Sequence, residues 1–157
     1  MGSRMEIRVR PGEPLDREQL LLMRLALWPD LSVDEDRREL DAALSGKPTG
    51  TMPLTILVAE TDDGDLVGFL EVGLRSHADG CDTRVPVGFV EGWFVSELHR
   101  RKSVGAKLLA AAEDWARGHG CIEMASDTWL ENDKSQQVHE ALGFEVVDRC
   151  VHYRKAL

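Results

Sequence analysis

The sequence predicts an α/β domain, a mixed and mostly antiparallel sheet flanked by helices, in the order β-α-α-β-β-β-α-β-α-β-β. Three observations carry this. Segments with a two-residue apolar period take turns with segments whose apolar residues follow a helical period. Asp62-Asp63-Gly64-Asp65 separates two strand patterns, and Asp-Gly supplies the positive φ of a tight hairpin. The apolar run Val87 to Val95 passes through a basic turn into a strongly patterned helix.

Each element follows from local pattern. Glu6 to Arg10 alternates as a first strand. Asp16 opens a helix with Leu21, Leu25 and Trp28 on one stripe, and Pro29 ends it. Asp34 to Leu44 is a second, more polar helix, stopped near Gly46 and Pro48. Thr55–Thr61 and Leu66–Arg75 are the hairpin strands, and a loop rich in Asp and Gly runs from His77 to Pro86. After the strand Val87–Val95, the helix from Ser103 to Arg117 sets Val104, Leu108, Ala112 and Trp115 in register, closed by Gly118 and Gly120. Ile122–Ser126 is a short strand and Asp133–Leu142 a helix capped by Gly143. Glu145–Val147 and Val151–Arg154 are expected to finish the sheet.

The 157 residues fit one domain, expected from Met5 to Leu157, with Met1–Arg4 as a cloning remnant. No repeat, low-complexity tract or linker divides the chain. With 43% hydrophobic and 30% charged residues the composition is that of a soluble globular protein. A net charge of -9 argues against a nucleic-acid partner, which needs a basic footprint. Three scattered cysteines, with no C-x-x-C, suggest neither zinc nor a disulfide framework, and a reducing cytoplasm is the simplest expectation. No apolar run reaches membrane-spanning length.

Arg100-Arg101-Lys102-Ser103-Val104-Gly105-Ala106 joins a strand to a helix. It is neither G-x-x-x-x-G-K-[ST] nor G-x-G-x-x-G. Its small residues let a ligand approach the backbone, the helix start offers unpaired N–H groups, and the basic side chains add charge-assisted contacts. That combination suits a pyrophosphate. Serine at 103 is also a good helix N-cap.

Two acids stand out. By strict alternation Glu91 shares a strand face with Phe89, Trp93 and Val95, where a carboxylate among apolar neighbours needs a reason. It is either paired with a nearby arginine or a cleft acid for a cationic amine. Asp127 ends the strand expected beside it, so both acids point into one cleft outside the strand ends. The alternative for Asp127 is a turn with Thr128.

The segment Arg100–Gly105 resembles the acyl-CoA loop [QR]-x-x-G-x-[GA] of the GNAT superfamily of N-acetyltransferases, with Ser103 in place of the first glycine. The order of elements is similar to the GNAT fold throughout. The stretch EMASDT, then Asn132, Ser135, Gln136 and His139, then ALGFE and YRK, resembles the aminoglycoside 6′-N-acetyltransferases. So do Trp28-Pro29, Gly80-Cys81-Asp82 and Val90-Glu91-Gly92.

The resemblance implies acetyl-CoA as cofactor, with no metal, and direct transfer to the 6′-amine of an aminoglycoside. The pyrophosphate would lie on Arg100, Arg101, Lys102, Ser103, Val104, Gly105 and Ala106. The pantetheine arm would follow Trp93, Phe94 and Val95, with Asn132 and Ser135 beside it. Glu91 and Asp127 become candidate bases. His139, where many relatives carry a tyrosine, becomes a candidate acid for the thiolate, or else a satisfied helix histidine. Tyr153 is an alternative acid unless its strand places it in the core. Trp28, His77, Asp79 and Asp148 would line the acceptor site with the two acids. A cytoplasmic homodimer is expected. Two other readings remain: a GNAT enzyme for another cationic amine, and a non-catalytic acyl-CoA-binding module.

Overall fold

A computed structural model describes residues 6–47 and 50–157. Met1–Arg4, Met5 and Pro48 therefore lie outside the described residues. The elements are β1 (Ile7–Pro11), α1 (Arg17–Leu27), α2 (Val33–Leu44), β2 (Leu54–Thr61), β3 (Leu66–Arg75), β4 (Val87–Val95), α3 (Val104–Gly118), β5 (Met124–Ser126) and α4 (Asp133–Ala141). The five strands pair in sequence order. β1 to β4 are antiparallel, and β5 joins β4 in parallel.

Both sheet faces are covered, which explains the near-continuous apolar runs of the central strands. Ile56, Val58 and Phe69 meet Leu20, Leu21, Leu40 and Leu44 of α1 and α2. Leu57, Ala59, Leu70, Val72 and Val90 meet Val104, Leu108 and Ala112 of α3. Adjacent residues of β2 thus point to opposite layers, as a two-residue period requires. A fully buried leucine such as Leu108 contributes roughly 1.5–3 kcal/mol of transfer free energy.

Two departures from the sequence expectation matter. The first is the end of the chain. Neither Glu145–Val147 nor Val151–Arg154 is a strand. Val146, Val147, Val151 and Tyr153 are 53%, 63%, 67% and 92% exposed. Alternation marks a segment fit to pair, but pairing needs a neighbouring edge, and this segment finds none within its own described chain. Tyr153 is therefore far from any core. β5 is also shorter than expected, leaving Ile122 67% exposed.

The second departure is a β-bulge. Glu71 of β3 stands opposite Gly92 of β4, but Val72 stands opposite Val90. Glu91 is the extra residue, and the side-chain alternation of β4 resets there.

Candidate active site

β4 and β5 share only three paired positions, Gly88–Met124, Phe89–Ala125 and Val90–Ser126. Beyond them β4 continues to Val95, held by β3 on one side alone. The edge from Glu91 to Val95 facing β5 is therefore unpaired, and the gap beyond the last β4–β5 pair forms a V. A ligand with amide groups can add to such an edge as a pseudo-strand.

The basic loop lies at the wide end of this V. Arg101 and Ser103 have φ values of 61° and 67°, left-handed conformations that side chains other than glycine rarely adopt. Strain of this kind collects at ligand clamps, and backbone N–H groups in such turns form anion-binding concavities. Ser103 is the N-cap of α3 by position, and its carbonyl accepts from Lys107 N–H at 3.0 Å. Contrary to expectation its side chain makes no cap hydrogen bond, because the left-handed backbone turns the hydroxyl away. The N–H groups of Val104, Gly105 and Ala106 open the helix without helical partners. Arg100 donates from Nε to the Val95 carbonyl at 2.9 Å, fixing the loop to the end of β4. A Cβ on Gly105 would sit 3.6 Å from the Trp93 indole, so Trp93 and Val95 pack under the first turn.

The bulge corrects the expected surroundings of Glu91. Trp93 and Val95 pack on the α3 side, whereas Phe94 packs on the α1 and α2 side. Glu91 stays with Phe89 but is separated from Trp93 and Val95. Its carboxylate accepts two hydrogen bonds from Arg75, at 3.0 and 2.9 Å, and is 31% exposed. The Arg75 guanidinium lies 3.4 Å from the centre of the Phe89 ring. Next to Glu91, a Cβ on Gly92 would fall 2.6 Å from Cη2 of Trp28. Only glycine admits that indole, and Trp28 also makes an edge contact with Phe69 at 6.4 Å. Trp28, half-buried, therefore walls the face on which the bulge presents Glu91.

Beneath this wall lies a cluster that the sequence reading missed. Arg24 donates from Nε to Glu71 at 2.6 Å and from Nη1 to Asp36 at 2.6 Å. All three are buried, and Asp36 Oδ2 is without a hydrogen-bond partner among the described residues. Burial pushes the Glu71 carboxyl above the usual range, Arg24 holds it down in part, and Asp36 and Glu91 push it further up. Burial alone would lower the Arg24 guanidinium, but Glu71 and Asp36 together raise it. One trace was present in the sequence: a charged residue inside each of the apolar runs LLLMRLALW and LVGFLEVGL.

On the α3 side, His139 of α4 is half-buried. Its Nδ1 is 2.7 Å from the Ser135 carbonyl and its Nε2 2.8 Å from Ser126 Oγ. Its ring meets Trp93 and Phe144 edge-on at 5.4 and 5.2 Å. Asn132 caps α4 by accepting from Ser135 N–H at 3.1 Å. Asp127 is exposed just past the end of β5. His77 and Asp79 are exposed in the loop before β4. Asp148 lies in the extended terminal segment, where its carboxylate accepts from Arg149 N–H at 2.7 Å. That segment approaches the loop before β4, since a Cβ on Gly80 would fall 2.8 Å from Val147. No group of acids, histidines or cysteines among the described residues could hold a metal ion.

This geometry has counterparts. The Acetyltransferase (GNAT) family profile matches residues 18–144. The chain is 44% identical over 149 residues to aminoglycoside N(6′)-acetyltransferase type 1 of Klebsiella aerogenes, covering 95% of this chain and 96% of that protein. It is 37% identical to the protein of the same name from Stenotrophomonas maltophilia, covering 95% and 93%. Among solved structures, AAC(6′)-Iy in complex with CoA superposes with a TM-score of 0.89 at 34% identity, covering 100% of this chain and 99% of that one. The same enzyme with the bisubstrate analog CoA-S-monomethyl-acetylneamine gives 0.86 at 35% identity, covering 97% and 99%. The chain belongs to the GNAT family of acetyltransferases, within its group of aminoglycoside N(6′)-acetyltransferases.

Proposed function

We propose that this enzyme transfers the acetyl group of acetyl-CoA to the 6′-amine of aminoglycosides in a ternary complex, so conferring resistance. The observation that carries the reading is the bulge. It puts a carboxylate, Glu91, beside an aromatic wall, Trp28, at the level where β4 loses β5 and its edge opens. An aminocyclitol has apolar ring faces and several ammonium groups, which suit an indole flanked by acids. The curated relatives carry the same activity in their names.

The residues fit the cofactor. The N–H groups of Val104, Gly105 and Ala106, with Arg101 and Lys102, would hold the pyrophosphate. The open edge of Trp93, Phe94 and Val95 would hold the pantetheine arm, with Asn132 and Ser135 facing it from α4. Acetyl-CoA supplies the acetyl group as a thioester, activated for attack. A backbone N–H of that edge would be placed to polarise the thioester carbonyl.

The acceptor amine arrives protonated, since an alkylammonium titrates near ~10.4. Glu91 or Asp127, directly or through one water, takes its proton. General-base help of this kind is worth roughly 10²–10⁴-fold, and positioning supplies the remainder. Arg75 fixes the direction of the Glu91 carboxylate. Trp28, His77, Asp79 and Asp148 line the acceptor side.

The working form is a cytoplasmic homodimer with neither nucleic-acid nor membrane partners. The unpaired terminal segment with exposed Val146, Val147, Val151 and Tyr153 supports a second copy. Three free cysteines suit a reducing compartment. No helix among the described residues is long and apolar enough to cross a membrane.

The test is thiol release from acetyl-CoA with matched aminoglycosides. Turnover is expected with a 6′-amine and none at that position with a 6′-hydroxyl. Equal turnover of the hydroxyl compound, with the product acetylated elsewhere, would overturn the regiochemistry.

A further inference from the structure

Both ring nitrogens of His139 are engaged within the protein. A carbonyl only accepts, so the contact of Nδ1 with the Ser135 carbonyl at 2.7 Å fixes a proton on Nδ1. Nε2 is then left to Ser126 Oγ at 2.8 Å. Trp93 and Phe144 meet the ring edge-on. Ser135 Oγ lies 3.3 Å from Nδ1, which already donates to the carbonyl at the shorter 2.7 Å, so the polar route from Nε2 towards the groove is the Ser126 hydroxyl.

Ser126 stands where that route is useful. It is the last paired residue of β5, opposite Val90, and is not fully buried. It is thus level with the residue before the Glu91 bulge, at the vertex of the V. Glu91 serves one sheet face, while Ser126 turns to α4 on the other.

We infer that Ser126, backed by His139, is the side chain that protonates the departing sulfur; this rests on acetyl-CoA occupying the V between β4 and β5. As the amine nitrogen bonds to the acetyl carbon, the C–S bond breaks and its electron pair stays on sulfur. Ser126 delivers its hydroxyl proton to that sulfur. The Ser126 oxygen takes the Nε2 proton of imidazolium His139, which retains its Nδ1 proton. The proton shed by the amine goes to the cleft carboxylate, and solvent recharges His139 between turnovers. Ser126 is the catalytic residue of this step and His139 acts through it.

Nitrogen NMR of the free enzyme and a kinetic double-mutant cycle test this. Neutral His139 is expected as the Nδ1–H tautomer with Nε2 as acceptor, and Ser126→Ala should shift the Nε2 resonance. Ser126→Ala and His139→Gln should each lower kcat at least ~10-fold, as loss of a general acid does. The double variant should be no slower than the slower single, because the two act as one unit. Acetyl-CoA affinity by calorimetry and Tm should stay near wild type in Ser126→Ala, and Ser126→Thr should restore kcat. An Nε2–H tautomer, wild-type kcat in Ser126→Ala, multiplying losses in the double variant, or lost acetyl-CoA affinity in Ser126→Ala would each overturn the inference. Failure of the cofactor site itself would show separately, as acetyl-CoA affinity unchanged by Gly105→Val.

Discussion

Arg10 on β1 reaches Asp16 and Glu60, while Arg24 on α1 reaches Asp36 and Glu71. Each arginine serves two carboxylates, yet the acids respond in opposite directions. Hydrogen bonds from Arg10 hold Asp16 below the usual carboxylate range, with help from the Glu13 N–H and against its own burial. Glu60 is also lowered, by Arg10 first and then Arg8. In the second cluster burial outweighs the ion pair, and Glu71 is raised. The difference lies in how fully the buried acids are satisfied. At the sheet edge Arg10 and Glu60 retain some access to water, and Asp16, though buried, is satisfied by two Arg10 hydrogen bonds and the Glu13 N–H. Beneath Trp28 one guanidinium must neutralise two buried carboxylates, and one oxygen of Asp36 has no partner among the described residues. The edge cluster fastens β1 to β2 and to the start of α1. The interior cluster sets two acids against one guanidinium on the face that carries Trp28 and Glu91, where a cationic acceptor is proposed to bind.

Removing each arginine sharpens this contrast most. Arg24→Met leaves two buried carboxylates without their cation and should cost about 3–5 kcal/mol. Urea unfolding measures it, and a loss equal to that of Arg10→Met would erase the distinction between the clusters.

Next in size are the kinetic effects. Glu91→Gln and Asp127→Asn should each lower kcat/KM for aminoglycoside at least ~10-fold, since a charged hydrogen bond is worth roughly 1.5–3 kcal/mol. Acetyl-CoA affinity should hold. Glu60→Gln, in the edge cluster, should leave kcat/KM at the wild-type value. Steady-state kinetics with calorimetry separates them, and a matching loss in Glu60→Gln would mean that charge anywhere on the surface matters.

The pH dependence follows from the signs of the shifts. A depressed acid contributes stability above its unfolded value, near ~3.9 for Asp16, and loses it as pH falls through the folded value. Arg10→Met should therefore cost about 2 kcal/mol at neutral pH and less as pH falls below about 4. Glu71 has the opposite sign. Its raised value makes stability fall as pH rises from its unfolded value, near ~4.3, through the folded one. Glu71→Gln should therefore compare better with wild type as pH rises from about 4. Thermal melts across pH read both slopes, and parallel slopes would contradict the contrast.

The smallest effect tests the loop. Ser103→Gly relieves a left-handed serine but adds unfolded-state entropy, so stability should rise by up to about 1 kcal/mol. A lower Tm would mean that the serine side chain holds the turn by itself.

Much of this enzyme was legible in its sequence because periodicity and punctuation are local. The hairpin at Asp62–Asp65, the limits of β3 and β4 and the stripe of α3 follow from side-chain spacing and from the φ that glycine permits. The turn that leads from β4 into α3 at Val104 was legible for the same reason, as it depends on a short contiguous stretch. Tertiary structure decided what depends on partners distant in the chain. The Glu91 bulge is a mismatch between two strands, so no count along β4 reveals that Trp93 and Val95 turn away from Glu91. Arg24, Asp36 and Glu71 come from three separate elements, and only packing brings one cation to two acids. The terminal strand pattern was real as a sequence pattern but not as a strand. A ladder is a property of two segments, and alternation specifies only one of them.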